Sequence, residues 1–296
     1  MNKKNYSTSI SPSTVWLPKG EVHKTVFEFM VSKFPGIEAA VWENRFKEGK
    51  VLDSEGNVFM LNSPYAGDQH VSYFREVPQE ENIPFEEEVI YQNENFLVVD
   101  KPHFLPVHPS GQYVNQTLVN RLKEKTGNKD LVTAHRLDRL TAGLVLCILN
   151  KEKRGVYQSL FSDREVQKTY LAIGKVPPGD KKSWHLKNCM EKVNPRFLMK
   201  VGSGPVNSES FIRIIREEGE RALFELKPVT GKKHQLRVHM AHIGSGIEND
   251  PLYPQVKEDR SNDFSKPMML LAKKLEFQDP CSGEQMLFES KRNLDL

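Results

Sequence analysis

Asp138 lies between Arg136 and Arg139 in the segment Ala134-His135-Arg136-Leu137-Asp138-Arg139-Leu140-Thr141-Ala142-Gly143, with an apolar run over residues 144–149 directly behind it. A carboxylate held on a turn by cationic neighbours keeps its charge and is available as a nucleophile or a base. Two later segments add groups that could serve it. Phe161-Ser162-Asp163-Arg164-Glu165-Val166-Gln167-Lys168-Thr169-Tyr170 brings cations and an aromatic ring onto a strand-like stretch. Thr230-Gly231-Lys232-Lys233-His234-Gln235-Leu236-Arg237 places two lysines before an arginine that falls on a helix. The chain has no G-x-G-x-x-G, no phosphate loop and no zinc-ligand spacing, so the chemistry is expected to need no cofactor and no metal.

In their order these three strings resemble those of the RluA-type RNA pseudouridine synthases. The first looks like H-R-L-D-x-x-T-S/A-G-L-L and the second like F-x-x-R-x-V-x-K-x-Y. The third looks like T-G-R-x-H-Q-I/L-R-x-H with a downstream G-x-x-I-x-x-D-x-x-Y, here ending on Asp250 and Tyr253. Phe96-Leu97-Val98-Val99-Asp100-Lys101-Pro102 and Val107-His108-Pro109 fit the same family, so the resemblance runs from about residue 89 to about residue 280. It departs at Ala142 for the commoner Ser, at Lys232 for Arg, and at Asn249 for Gly. The Lys keeps the charge but loses the planar fork.

The resemblance implies isomerisation of specific uridines in ribosomal or transfer RNA by base flipping. The glycosidic bond breaks, the uracil turns, and it rejoins through a ring carbon. Asp138 is then the essential aspartate; addition to the base, attack on the sugar carbon and proton removal all remain open. Tyr170 is implied as the platform against the flipped uracil, where stacking is the expected mode of recognition. Arg237 is expected to orient Asp138 with a bidentate fork. Arg136 is implied at the pocket mouth. Arg139, Thr141, Lys168, Lys232, Lys233, His234 and Gln235 complete the expected substrate-binding set, the lysines against the RNA backbone and His234 and Gln235 supporting helix and loop.

Three rival readings are weaker. His135-Arg136-Leu137-Asp138 differs from a kinase H-R-D loop by an inserted Leu, and no D-F-G or Gly-rich loop accompanies it. His234, His239 and His242 lack a Cys or carboxylate to complete a metal set, which favours a structural role. A catalytically weak or silent RNA-binding protein, or an RNA-folding chaperone, would keep the same scaffold; the retained Asp138, Tyr170 and Arg237 argue against it.

The elements that must position these groups follow from hydrophobic spacing. Residues 1–14 are polar and expected to be a flexible arm. Residues 15–78 form a small α+β module, with helices over residues 22–34 and 37–47 and a short strand pair at residues 51–52 and 57–61. Its order resembles the alpha-L RNA-binding module. Residues 79–88, rich in Glu and bounded by Pro, are expected to be a solvated linker.

Residues 89–296 read as the catalytic domain: α+β, on a mixed, mainly antiparallel sheet with flanking helices, the pseudouridine synthase fold. Strands are expected at residues 96–101, 144–149, 168–173, 210–216, 222–229 and 268–277, and helices at residues 117–125, 151–161 and 234–243.

With 296 residues, 27% charged and a net charge of +3, the chain is expected to be an ordinary globular protein with RNA as its partner. No run of about 18 apolar residues exists to span a membrane. The three scattered cysteines, Cys147, Cys189 and Cys281, and the polar N-terminus fit a cytoplasmic protein.

Overall fold

Six consecutive buried residues, Phe96–Lys101, and seven more, Ala142–Ile148, pair antiparallel along their length. Strands buried on both faces read as continuous apolar runs, which is how both appear in the sequence. The computed structural model describes residues 6–20, 23–193, 198–257 and 263–296. The chain divides into two units, Met1–Asn82 with Pro109–Gln116 and Ile83–His108 with Thr117–Leu296. Val22, expected in the first helix, and the first five residues of the expected arm lie outside the described residues.

The first unit contains β1 (Tyr6–Thr8), β2 (Ser13–Leu17), α1 (Val26–Lys33), α2 (Ala39–Lys47), β3 (Val51–Leu52), β4 (Gln69–Tyr73) and β5 (Glu76–Pro78). Thr25 caps α1, its hydroxyl accepting the Glu28 amide at 3.1 Å. Both helices bury Val26, Phe29, Met30, Trp42 and Phe46 against Leu17, Val51 and Val71 of the sheet β2-β4-β3.

Two expectations change here. The described part of residues 1–14 is not a loose arm: β1 pairs with β5, and Asn115 takes the Ile10 amide and gives to the Thr8 carbonyl. Strand pairing uses the backbone, which a polar composition does not reveal. Residues 57–61 make a single bridge, Leu52↔Val58, and β3 pairs instead with β4.

The acidic stretch is not a solvated linker either. Ile83 is buried, and the buried Glu87 carboxylate meets Lys125 at 2.7 Å and Arg121 at 3.3 Å. Arg121 also donates to the carbonyls of Ile83 and Phe85. The second unit therefore begins at Ile83 rather than Val89.

That unit runs β6 (Glu88–Gln92), β7 (Phe96–Lys101), α3 (Leu118–Thr126), β8 (Val132–Thr133), β9 (Ala142–Ile148), α4 (Arg154–Ser162), β10 (Gln167–Lys175), β11 (Ser183–Val193), β12 (Leu198–Gly202), β13 (Ser208–Glu218), β14 (Arg221–Pro228), α5 (Gln235–His242), β15 (Leu270–Gln278) and β16 (Gln285–Glu289). Among the described residues these strands make one 11-stranded sheet, β12-β11-β13-β14-β10-β15-β9-β7-β6, with β16 on β15 and β8 on β9. The pairing of β15 with β9 is parallel and the rest antiparallel, so the mixed, mainly antiparallel α+β reading stands.

One core lies where α4 places Tyr157 and Leu160 over Phe96, Leu146 and Phe277. Another lies where α5 places Leu236 and Met240 over Ala172, Phe224 and Leu226.

Candidate active site

The Asp138 loop gets its shape from its two ends. At the far end, β9 starts with Ala142 and Gly143, and Gly143 has φ +109°, a conformation that side chains rarely adopt. A Cβ there would come within 2.3 Å of the Ala272 carbonyl oxygen, so only glycine lets β9 run beside β15. Before it, the Asp138 carbonyl accepts the Thr141 amide at 3.0 Å and closes a turn.

The turn is anchored from β7. The buried Lys101 ammonium donates to the carbonyls of Pro102 and Leu105 at 2.9 Å and of Arg139 at 3.3 Å. His103 Nδ1 donates to the Leu140 carbonyl at 2.7 Å. Burial pushes Lys101 down to about 7, partly offset by the charge of Asp138, and pushes His103 down to about 4. The Asp138 side chain is left about one quarter exposed, its Oδ1 without a hydrogen bond among the described residues.

Arg237 reaches the carboxylate from α5. The loop ahead of that helix is tied by Gln235, whose amide accepts from Thr230 and from the Lys232 N–H and donates to the Glu209 carbonyl and Ser210 hydroxyl. His234 takes a left-handed turn at φ 55° to start the helix. Gln235, expected in the substrate-binding set, thus spends its polar atoms on the fold.

Arg237 Nη1 donates to Asp138 Oδ2 at 3.0 Å. Its planar fork, expected on Asp138, goes instead to the fully buried Asp250, with Nε and Nη2 each at 2.7 Å. Asp250 is itself fixed by the amides of Leu252 and Tyr253. Burial opposes the charge on Arg237, but Asp250 and then Asp138 outweigh it and hold the guanidinium above its ordinary value.

His234 Nε2 lies 3.8 Å from Asp138 Oδ2, and its Nδ1 meets the Tyr253 hydroxyl at 2.9 Å. Burial pushes it down to about 4, against the pull of Asp138, so it is a neutral ring at pH 7. His239 is fully buried, 3.3 Å from the Ser208 hydroxyl. Among the described residues no three His, Cys, Asp or Glu side chains are grouped to hold a metal ion.

Tyr170 comes from β10, just past a register shift after Thr169. Ala272 pairs with Tyr170 on one side and with Gly143 on the other. Burial, then the charge of Asp138, push the Tyr170 phenol up.

A cavity of about 700 Å³ opens over these groups. Asp138, Thr141, Tyr170, His234, Gln235 and Arg237 line it, and Arg136, Lys168, Lys232 and Lys233 supply its cations. Arg139 does not line it; its carbonyl serves as a support for the turn.

Sequence reasoning leaves out four groups that the structure brings here. Asp250 was visible in the downstream string but not its partner. Lys101 sits in a strand that reads as apolar. His135 and Phe161 stack at 4.3 Å on the cavity wall. His135 Nε2 accepts the Leu146 N–H at 3.1 Å, which requires an unprotonated nitrogen, and burial followed by the charge of Lys168 pushes the ring down to about 3.

Residues 95–242 match the family described as RNA pseudouridylate synthase. The chain is 28% identical over 240 residues to a rice protein named RNA pseudouridine synthase 7, covering 78% of this chain and 60% of the rice protein's length. It is 30% identical over 222 residues to tRNA pseudouridine synthase C of Yersinia pestis, covering 69% of this chain and 86% of that one. The solved human protein RNA pseudouridylate synthase domain containing 1 superposes with a TM-score of 0.57 at 24% identity, over 72% of this chain and 86% of that chain, and shows the shared fold. Half of the chain matches a single family, the Yersinia protein is matched along most of its length, and the strings around Asp138, Tyr170 and Arg237 fall inside or beside one cavity: the chain belongs to the RNA pseudouridylate synthase family.

Proposed function

We propose that this protein isomerises uridine to pseudouridine in RNA, with Asp138 as the catalytic residue. The observation that carries the reading is the placement of Asp138 in the cavity, held through Oδ2 by one Arg237 hydrogen bond while Oδ1 stays open. Uridine enters flipped out of its strand, and Tyr170 supplies a ring for the uracil to stack on. The N1–C1′ bond breaks, a C5–C1′ bond forms, C5 gives up its proton and N1 takes one up. Atoms and electrons balance within the nucleotide, so no co-reactant enters. Asp138 provides the negative charge that a sugar parted from its base needs, and Arg237 fixes its direction.

Charge is divided unevenly over the chain. Residues of the first unit include nine Lys and Arg against eleven Asp and Glu, while those of the second include 33 against 28. The cationic excess therefore sits in the unit that holds the cavity, which supports RNA binding there through Arg136, Lys168, Lys232 and Lys233. Ribosomal or transfer RNA is the proposed substrate class, and the names of the relatives support transfer RNA as the first to test. Three free cysteines, two of them buried, support action in a reducing cytoplasm.

The test is total RNA from a strain lacking the gene, probed by carbodiimide labelling and reverse transcription, with wild-type protein or Asp138→Asn supplied back. A stop that returns only with wild type is expected. A stop restored equally by Asp138→Asn would remove Asp138 from the chemistry, and unchanged RNA would favour the silent binding protein.

A further inference from the structure

We infer that the α4 end of the cavity is a second nucleotide subsite, one that reads a base flanking the target; this rests on the isomerase reading above. The cavity, at about 700 Å³, lies well up the ~300–1,000 Å³ range typical of sites that enclose a drug-sized ligand. Asp138, Tyr170 and Arg237 account for one end of it. Gln158, Phe161 and Ser162 line the other, and their spacing of three and four residues puts them on a single face of α4. The adjoining face, Tyr157 and Leu160, is sealed into the core, and Phe161 packs at its margin.

What the second end offers is specific. His135 and Phe161 form a stacked pair with an interplanar angle of 20°. The His135 ring is locked by the Leu146 amide and is neutral, so the wall is aromatic rather than cationic. Ser162 spends its hydroxyl on Ser159 and Asp163. Gln158 is exposed, and its side-chain amide has no hydrogen-bond partner among the described residues. Lys168 is pushed down by burial and by its cationic neighbour Arg164, with no carboxylate to offset either. An aromatic wall, an open amide and adjoining unneutralised cations are the chemistry that holds a nucleobase and its phosphate. Gln158 supplies the only uncommitted amide of the three α4 groups, so it sets the preference among bases.

The probe is a pool of stem-loop RNAs with a fixed loop uridine and randomised neighbours. It is used in two arms: turnover by wild type and Gln158→Ala, and equilibrium binding by Asp138→Asn with and without Gln158→Ala. Gln158 is on the helix surface and Ala favours helix, so folding is retained. A preference of about tenfold at one flanking position is expected in both arms, falling below about twofold with Gln158→Ala. A flat profile in the parent proteins, or one that survives Gln158→Ala, overturns the subsite. Absent turnover with a Gln158-dependent binding preference keeps the subsite and rejects the isomerase.

Discussion

Gly143 and Ala272 lie so close that a single added methyl group would stand 2.3 Å from a carbonyl oxygen. The contact is backbone, so no side chain can swing aside. Gly143→Ala is expected to cost about 3–5 kcal/mol, from forced overpacking together with strain at positive φ. Urea unfolding of the two proteins measures it. A loss below about 1 kcal/mol would mean that β9 and β15 separate easily and that the glycine is not what holds the Asp138 loop.

Asp250 should matter to catalysis without touching RNA. Its carboxylate takes the fork of Arg237 and leaves one nitrogen for Asp138. Asp250→Asn keeps the shape but removes half of the charge balance around a buried guanidinium. Steady-state kinetics are expected to show kcat down about 10–100-fold with KM little changed, as for other supporting groups behind a reactive one. A change confined to KM would place Asp250 in RNA binding instead.

Much of this arrangement is legible in the sequence, and the parts that are not share a cause. β7, β9, α3, α4 and α5 announce themselves through unbroken or helically spaced apolar residues. The hairpin β11–β12 does not: Trp184, Leu186 and Met190 are interleaved with His185, Lys187 and Asn188, and one face of β11 stays largely exposed. In the site, Asp138, Tyr170 and Arg237 carry recognisable strings. The link from Arg237 to Asp250 spans a helix end and a turn, so only the fold shows which carboxylate receives the fork.

Lys101 gives a pH test with a definite sign. Burial lowers its folded value from 10.5 to about 7, so between those values the unfolded chain binds the proton that the native state has released. Native stability from this group is therefore lowest below pH 7 and rises as the pH climbs towards 10.5. Lys101→Met is expected to abolish that rise. It also strips two buried carbonyls and one partly buried carbonyl of their donor, for a net loss of about 2–4 kcal/mol at pH 7. A variant as stable as wild type, with the same alkaline slope, would contradict both.

Acid should act through histidines. His103, His234 and His239 are held at about 4 and His135 at about 3, each chiefly by burial. Below pH 6.5 the unfolded state gains protons that the native state refuses, so stability falls from there down to pH 4. At pH 5 each enclosed ring costs on the order of 2 kcal/mol. Thermal melts between pH 7 and pH 4.5 are expected to drop steeply, and less so for His239→Gln. A flat profile over that range would show that these rings are open to water.

Ala272 has β9 on one edge and β10 on the other. The separation between the exit of the aspartate turn and the tyrosine is therefore two strand spacings, about 9–10 Å. Peptide hydrogen bonds make an inelastic gauge: their length does not depend on which residues fill the core on either side. Side chains in the cores on either side can change while the gap between the aspartate turn and the tyrosine stays calibrated.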